Sequence, residues 1–165
     1  MSAIFKRTSV RKYTEQPIEP EKVELLLRAG MAAPSACNQQ PWEFYLTANK
    51  EKLAQLGGCS KYATPTIGAA LAIVPCYRKE GLIAPDYAEI DLSACVENIL
   101  LEAEELGLGA VWMGIAPGRD RMENVRKVMS VAENLEPFAI IAVGYPVTEA
   151  KQQDRFDPAR IHVVE

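Results

Sequence analysis

Apolar and polar residues follow one another along the chain in patterns that predict both helices and strands. Apolar residues at helical spacing predict helices that begin at Pro20, after Asn49, at Asp86 or Asp91, and around Met122. Apolar runs predict strands at Trp42–Thr47, Ala69–Tyr77, Val111–Ile115 and Phe138–Val143. This mixture of elements predicts an α/β or α+β fold.

Turn and capping residues mark the expected ends of the helices. Pro20 suits the first turn of the first helix, and Pro34 ends it. Asn49 can cap the second helix, which stops at Gly57. The third helix is the longest, and its apolar face carries Leu92, Val96, Ile99, Leu100, Ala103 and Leu106. Gly107 is the expected C′ residue of this helix.

The end of the chain combines a polar stretch with a short apolar segment. Residues after Lys151 are polar until the run Ile161–Val164. Such a segment is either a frayed terminus or a strand that pairs with a sheet edge of its own chain or of a partner.

Composition and charge narrow the classes of protein that fit this pattern. Hydrophobic residues make up 48% of the 165 residues and charged residues 24%, which is typical of a globular domain. We see no repeat or linker, so residues 1–165 are expected to form a single domain. The net charge of −4 argues against binding of nucleic acid.

The apolar runs and the cysteines bear on location and metal binding. The longest run, Ile67–Cys76, is too short to span a bilayer, which needs about 20 residues. The N-terminus lacks the apolar run of a secretory signal. The four cysteines are spaced singly and the chain has one histidine, so no metal site is expected. We therefore expect a cytoplasmic protein with no membrane partner, whose four reduced thiols pack in its interior.

Two arginines flank a hydroxyl residue near the N-terminus. If the segment Arg7–Arg11 is extended, Arg7, Ser9 and Arg11 point to the same side. Guanidinium groups bind phosphate in a bidentate manner. The segment is either a phosphate-binding arm or, as the simpler interpretation of a short basic stretch, a solvated surface segment.

A loop dense in amide side chains connects the first helix to the first strand. Between Pro34 and Pro41 it carries Ser35, Asn38, Gln39 and Gln40. The prolines lower the entropy that is lost when the loop becomes ordered. Alternating donors and acceptors suit a nucleobase or a flavin ring, so we favour a binding role over that of a polar connector.

Two other places could contribute to a site. Gly114 interrupts an apolar strand, which indicates the close approach of a flat ligand or another backbone, or else a β-bulge. The tail carries Arg155 and Arg160, either of which could close a phosphate site. Two nearby aspartates could instead hold these arginines in local salt bridges.

In their order along the chain, these segments resemble those of the nitroreductase family of FMN-dependent oxidoreductases. The matching segments are Arg7–Arg11, Ala33–Trp42, Glu97–Leu101, Leu106–Trp112 and Asp154–Phe156. The resemblance implies an α+β fold in three layers, in which helices flank a central mixed, mainly antiparallel sheet. It also implies an intertwined homodimer with an exchanged C-terminal strand and two FMN sites at the interface.

The resemblance also implies a set of site residues. The family's phosphate and ribityl positions fall on Arg7, Thr8, Ser9 and Arg11. Its flavin-binding positions in the amide loop fall on Pro34, Ser35, Ala36, Asn38 and Gln40. The backbone amide that faces flavin N5 falls at Gly114 or Ile115, and the C-terminal phosphate-binding arginine falls on Arg155.

Some features depart from the family's pattern. Thr8 stands where many members have a second arginine or histidine, and Gln153 stands where some have a lysine. A less basic phosphate site is therefore expected. The region Tyr77–Asp91 has no room for a large lid.

The implied activity is that of a flavoenzyme. FMN performs hydride and electron transfer, while the protein supplies binding, orientation and electrostatics. The enzyme would take hydride from NADH or NADPH and reduce a nitroaromatic, a quinone or a similar small acceptor in ping-pong order. The alternatives are a narrower flavin reductase of dehalogenase or enoate reductase type, a flavin-binding or redox-sensing protein without turnover, and a dimerisation module without a ligand.

Overall fold

The computed structural model describes residues 2–149, 151 and 154–164. These residues form four α-helices: α1 (Pro20–Met31), α2 (Lys50–Gly57), α3 (Ala88–Glu105) and α4 (Arg119–Met129). They also form five strands: β1 (Trp42–Thr47), β2 (Leu71–Arg78), β3 (Gly109–Gly114), β4 (Leu135–Pro137) and β5 (Ala139–Gly144). No helix of the described ranges is long and apolar enough to cross a membrane.

The sheet has the order β1-β2-β5-β3, and β4 pairs with β2 beyond the end of β5. Each pair of these strands is antiparallel. The parallel contribution is an isolated bridge between Ser9 and Ala110. Successive residues of β2 face two different cores, since Ile73 packs with α1 and α3 while Val74 packs with α2 and α4. The predicted three-layer α+β fold with a mainly antiparallel sheet is therefore confirmed.

Local signals fix most helix ends where they were expected. Pro20 occupies the first turn of α1. The Asn49 side chain accepts a hydrogen bond from the backbone N–H of Lys52 at 3.0 Å, which caps α2. Gly107 has φ of +72° and ends α3, as predicted.

The start of α3 differs from the expectation. The helix begins at Ala88, after a single 3-10 turn at Pro85–Tyr87, so neither Asp86 nor Asp91 is its first residue. Asp91 instead lies in the first turn and is buried, with 5% of its surface exposed. Its carboxylate is turned into the protein rather than back onto the helix end.

The predicted strand Phe138–Val143 is interrupted at its first residue. Phe138 separates β4 from β5 and donates its backbone N–H to the carbonyl of Pro75 at 2.9 Å. Pro75 lies in the middle of β2 and has no N–H to return, so the ladder with the neighbouring strand breaks there.

The described tail residues form a single 3-10 turn, Pro158–Arg160, and no strand. They form no strand with a sheet edge of their own chain, so a frayed terminus and pairing with a partner remain the two alternatives for the tail.

The cysteines differ from the expectation at one position. Burial raises the pKa of the Cys76 and Cys95 thiols to about 12, and Cys59 is buried as well. Cys37 is exposed, so the expectation that all four thiols pack inside is wrong for this residue. It lies in a loop whose backbone turns its side chain toward solvent.

Candidate functional site

The arm Arg7–Arg11 lies along the first half of β3. Ser9 forms its parallel bridge with Ala110, and the Val10 N–H donates to the Ala110 carbonyl at 3.0 Å. A Cβ at Gly109 would lie 2.7 Å from Val10, so the glycine lets the arm approach the sheet. With Val10 against the sheet, Ser9 and Arg11 are exposed, which agrees with the predicted alternation for these two residues, whereas Arg7 is partly buried.

Arg7 is held by the third helix. Its Nε lies 3.3 Å from Oε1 of Glu97, and 19% of the Arg7 side chain is exposed. Arg11 donates from Nη1 to the carbonyl of Ser9 at 3.1 Å, while Thr8 is half-buried. The arm therefore carries one partly buried, ion-paired guanidinium and one exposed guanidinium.

Tyr13 fastens the far end of the arm. Its hydroxyl lies 2.6 Å from the carbonyl oxygen of Val10 and 3.1 Å from that of Ala142 in β5. Its ring covers Gly144, where a Cβ would lie 2.9 Å from the ring. Sequence reasoning missed this residue; the available signal was an aromatic side chain directly after the arm and a glycine at a strand end.

The amide loop has an unusual backbone. Three of its residues, Cys37, Asn38 and Gln40, have φ values of +51°, +50° and +45°. Non-glycine residues adopt this left-handed region rarely, and clusters of them occur at ligand clamps where surrounding contacts hold them. Within the loop, the Ser35 hydroxyl accepts a hydrogen bond from the Gln40 N–H at 2.9 Å.

Gln39 and Asp91 anchor the loop on its buried side. The Gln39 amide nitrogen donates to Asp91 Oδ2 at 2.7 Å and to the Ala84 carbonyl at 2.9 Å. Asp91 Oδ1 accepts from the Ala36 N–H at 2.9 Å. Gln39 is buried, whereas Pro34, Cys37, Asn38 and Gln40 are exposed. The loop thus presents a polar outer surface on an internal network that sequence reasoning did not identify.

An open pocket of about 450 Å³ lies at the other end of β3. It is lined by Trp112, Gly114, Ala116 and Phe138. The rings of Trp112 and Phe138 lie 5.6 Å apart between centroids. A Cβ at Gly114 would have no described heavy atom within 4 Å, so this glycine opens directly onto the pocket. The close-approach interpretation of Gly114 fits this geometry.

The backbone of Gly114 faces the free edge of the described sheet. The Ala110 carbonyl points to the arm and away from β5, so by alternation the N–H and carbonyl of Gly114 point away from β5 too. The Gly114 carbonyl accepts from Arg121 Nη1 at 3.2 Å. The Ile115 N–H donates to the Phe138 carbonyl at 3.2 Å. Of the two positions proposed for flavin N5, Gly114 therefore has its N–H directed outward.

Arg155 lies apart from these features. It is exposed, and among the contacts between described residues none joins it to the arm or the loop. Arg160 pairs with Asp157 at 3.1 Å, which is the local salt bridge considered from the sequence. Gln153 lies outside the described residues. The convergence of Arg155 with Arg7 and Arg11 stays a prediction.

The residues present fit FMN. The pocket offers aromatic walls and an outward backbone N–H, which suit a planar ring with polar edges. The arm offers two guanidinium groups and a hydroxyl for phosphate. It pairs with β3 at Ala110, which lies four residues before Gly114 and about 13 Å from it. The described residues hold no cluster of three or more potential metal ligands.

Comparison with known proteins places this geometry in a family. The sequence model of the nitroreductase family matches residues 4–81 and 59–145. A Methanothermobacter thermautotrophicus protein, provisionally named NADH dehydrogenase/NAD(P)H nitroreductase, is 37% identical over 163 residues, which cover 99% of this chain and 85% of that protein.

Solved structures agree with this result. A Clostridium acetobutylicum structure, provisionally named NADH oxidase, is 45% identical with a TM-score of 0.96 and 99% coverage of both chains. The FMN-dependent nitroreductase of Clostridium difficile R20291 is 30% identical with a TM-score of 0.91, over 99% of this chain and 98% of that one. The chain therefore belongs to the nitroreductase family.

Proposed function

We propose that the protein is an FMN-dependent oxidoreductase that takes hydride from NADH or NADPH and passes electrons to a small acceptor, such as a nitroaromatic or a quinone, in ping-pong order. The observation that carries the proposal is the pocket at Gly114, built on the strand that also carries the cationic arm. The relatives named for FMN and for NAD(P)H support the same conclusion. When bound, FMN supplies the hydride and electron transfer.

The arm would hold the phosphate and the ribityl chain. Arg7 and Arg11 offer charge-assisted hydrogen bonds, and Thr8 and Ser9 offer hydroxyl groups. Glu97 orients the Arg7 guanidinium through their ion pair. Because Glu97 also offsets one positive charge, phosphate binding would depend on Arg11 and on Arg155 from the tail as well.

The ring would lie in the pocket, where the chain supplies polar contacts rather than a general base. The outward N–H of Gly114 would donate to the N5 edge, and donors at that edge stabilise charge as an oxyanion hole does. The rings of Trp112 and Phe138 line the pocket and would shield one side of a bound flavin ring from water. The amide-loop residues proposed to contact the ring are Pro34, Ser35, Ala36, Asn38 and Gln40.

A homodimer with shared sites belongs to the proposal. The amide loop is hydrogen-bonded to Asp91, in the first turn of α3. The N-terminal segment contacts later turns of the same helix, where Arg7 pairs with Glu97 and the Ala3 N–H donates to Glu105. In the proposed dimer, an amide loop from a second copy completes the pocket of the first. The tail is available for exchange, since Val163 and Val164 are 84% and 92% exposed.

An anaerobic titration tests the proposal. The purified protein should be yellow with FMN bound, and NADH or NADPH should bleach it. Reoxidation by a panel of nitroaromatics and quinones distinguishes an enzyme from a flavin-binding or redox-sensing protein, which would not turn over. A colourless protein that does not bind added FMN would contradict the proposal. We also propose a cytoplasmic location, where both nicotinamides are available.

A further inference from the structure

We propose that Asp91 is a positioning residue that holds the amide loop in its ring-binding conformation through Ala36 and Gln39. The inference rests on the proposed function, because it assigns Asp91 a role in flavin binding and reduction. Asp91 belongs to α3 and lies 55 positions from Ala36 in sequence. It is one of the few polar side chains in the described chain that are nearly inaccessible to solvent.

The first argument is the conformation of the loop. Cys37, Asn38 and Gln40 adopt left-handed backbone conformations that an isolated chain would rarely populate. Such a backbone persists where surrounding contacts over-determine it. The contacts available here are at the two ends of the single turn Ala36–Asn38: the N–H of Ala36 at its start and the side chain of Gln39 just after its end.

The second argument is the chemistry of the two contacts. Asp91 receives one donor on each carboxylate oxygen, at 2.9 Å from Ala36 and 2.7 Å from Gln39. Among side chains of this size, an ionised carboxylate is the one whose two terminal atoms both accept hydrogen bonds and donate none. An asparagine would turn an NH₂ group toward one of the two donors. The negative charge also lies in the first turn of α3, where the helix dipole favours it.

The third argument is that the hydrogen-bond network extends to the segment between β2 and α3. Gln39 pairs with both backbone groups of Ala84, donating to its carbonyl and accepting from its N–H, each at 2.9 Å. The Gln39 carbonyl accepts from Arg78 Nη2 at 2.9 Å. Gln39 therefore links the loop to residues that precede α3, and Asp91 fixes the orientation of its amide.

The test compares Asp91→Asn with Glu104→Gln, which removes the same charge from α3 about 20 Å further along the helix. For each variant we would measure the Kd for FMN, the Kd for riboflavin, which lacks the phosphate, and the reduction potential of the bound flavin. Asp91→Asn should raise the Kd for both flavins about tenfold or more, because one buried donor loses its acceptor. The potential should rise, because a negative charge beside the loop is removed. Glu104→Gln should match the wild type in all three measurements.

A conservative variant provides a further check. Asp91→Glu keeps the negative charge and both acceptor oxygens, so its flavin affinities and potential should lie closer to the wild type than those of Asp91→Asn. Unchanged riboflavin affinity and potential in Asp91→Asn would overturn the inference, even if the variant were less stable. If Asp91→Asn fails to fold, Gln39→Met gives the same readouts. A wild-type protein that binds no flavin would instead count against the proposed function.

Discussion

The Nε atom of Arg7 lies 3.3 Å from a carboxylate oxygen of Glu97, which ties the N-terminal arm to the middle of α3. About one fifth of the Arg7 side chain is exposed, so the pair is partly shielded from water. Arg11, four residues later, is exposed and contacts the backbone of its own segment. The two arginines of the arm thus differ in how firmly they are held, and Arg7 is the better oriented of the two.

Replacing Arg7 should weaken FMN binding selectively. A charge-assisted hydrogen bond contributes roughly 1.5–3 kcal/mol, so Arg7→Ala should raise the Kd for FMN about ten- to a hundredfold. Riboflavin, which has no phosphate, should bind as it does to the wild type. Arg28→Ala is the matched control, since Arg28 is an exposed, ion-paired arginine on α1. Equal FMN affinity in Arg7→Ala and the wild type would remove Arg7 from the phosphate site.

Replacing Gly114 should separate folding from flavin binding. A Cβ at Gly114 meets no described atom within 4 Å, so Gly114→Ala should change the free energy of unfolding by less than about 0.5 kcal/mol. The added methyl group would occupy the pocket and reduce FMN affinity. Gly68→Ala is the control, because Gly68 has equally open surroundings but lies outside the pocket. FMN affinity that is the same in both variants would show that the ring lies elsewhere.

Removing the Tyr13 hydroxyl should loosen the arm. Tyr13→Phe leaves the carbonyls of Val10 and Ala142 without this donor and should lower the free energy of unfolding by about 1 kcal/mol. Chemical denaturation measures the change. Tyr62→Phe, at an exposed tyrosine, should have no such effect. A Tyr13→Phe protein as stable as the wild type would mean that the hydroxyl does not hold the arm.

The Tyr13 hydroxyl should also make the free energy of unfolding depend on pH. Burial, opposed in part by the charge of Arg11, raises the pKa of Tyr13 above its ordinary value. The folded state therefore favours the protonated form, and this stabilisation is present below about pH 10 and decreases as the pH rises above it. The stability difference between the wild type and Tyr13→Phe should narrow above pH 10. Tyr77, whose pKa is also raised by burial, is present in both proteins and cancels in the comparison. A difference that stays constant to high pH would contradict this assignment.

Removing the end of the tail should affect assembly and cofactor together. Deletion from Arg160 onward removes the exposed apolar residues Ile161, Val163 and Val164. If these residues pair with a partner's sheet edge and the sites are shared, the truncated protein should become monomeric and release FMN in parallel. Analytical ultracentrifugation with detection at a flavin wavelength measures both. A monomer that retains stoichiometric FMN would contradict the shared site and the exchanged tail.

Features that depend on neighbouring residues could be predicted from the sequence. The capping of α2 by Asn49 and the end of α3 at Gly107 follow from residues within one turn. The break at Phe138 could not be predicted from its own segment, because it is caused by Pro75 on another strand. The same holds for Asp91: its partners are set by where α3 begins and by a loop far away in sequence.

In the candidate site, too, local features could be predicted from the sequence and contacts between distant segments could not. The arm and the amide loop carry chemical groups that are visible in the sequence, so both could be proposed before the fold was known. Their attachment depends on pairings between distant segments, such as Val10 on Gly109 and Tyr13 on Gly144. The proposed role of Arg155 requires an assembly of two chains, which the pattern of a single chain does not specify.

Anaerobic reduction of the purified protein tests the central claim most directly. Addition of NADPH or NADH should bleach the flavin absorbance with a stoichiometry of one nicotinamide oxidised per FMN. Subsequent addition of a nitroaromatic or a quinone should restore the absorbance and reduce the acceptor. Flavin that stays oxidised with both nicotinamides, or reduced flavin that no acceptor of the panel reoxidises, would contradict the assignment of the protein as an FMN-dependent oxidoreductase.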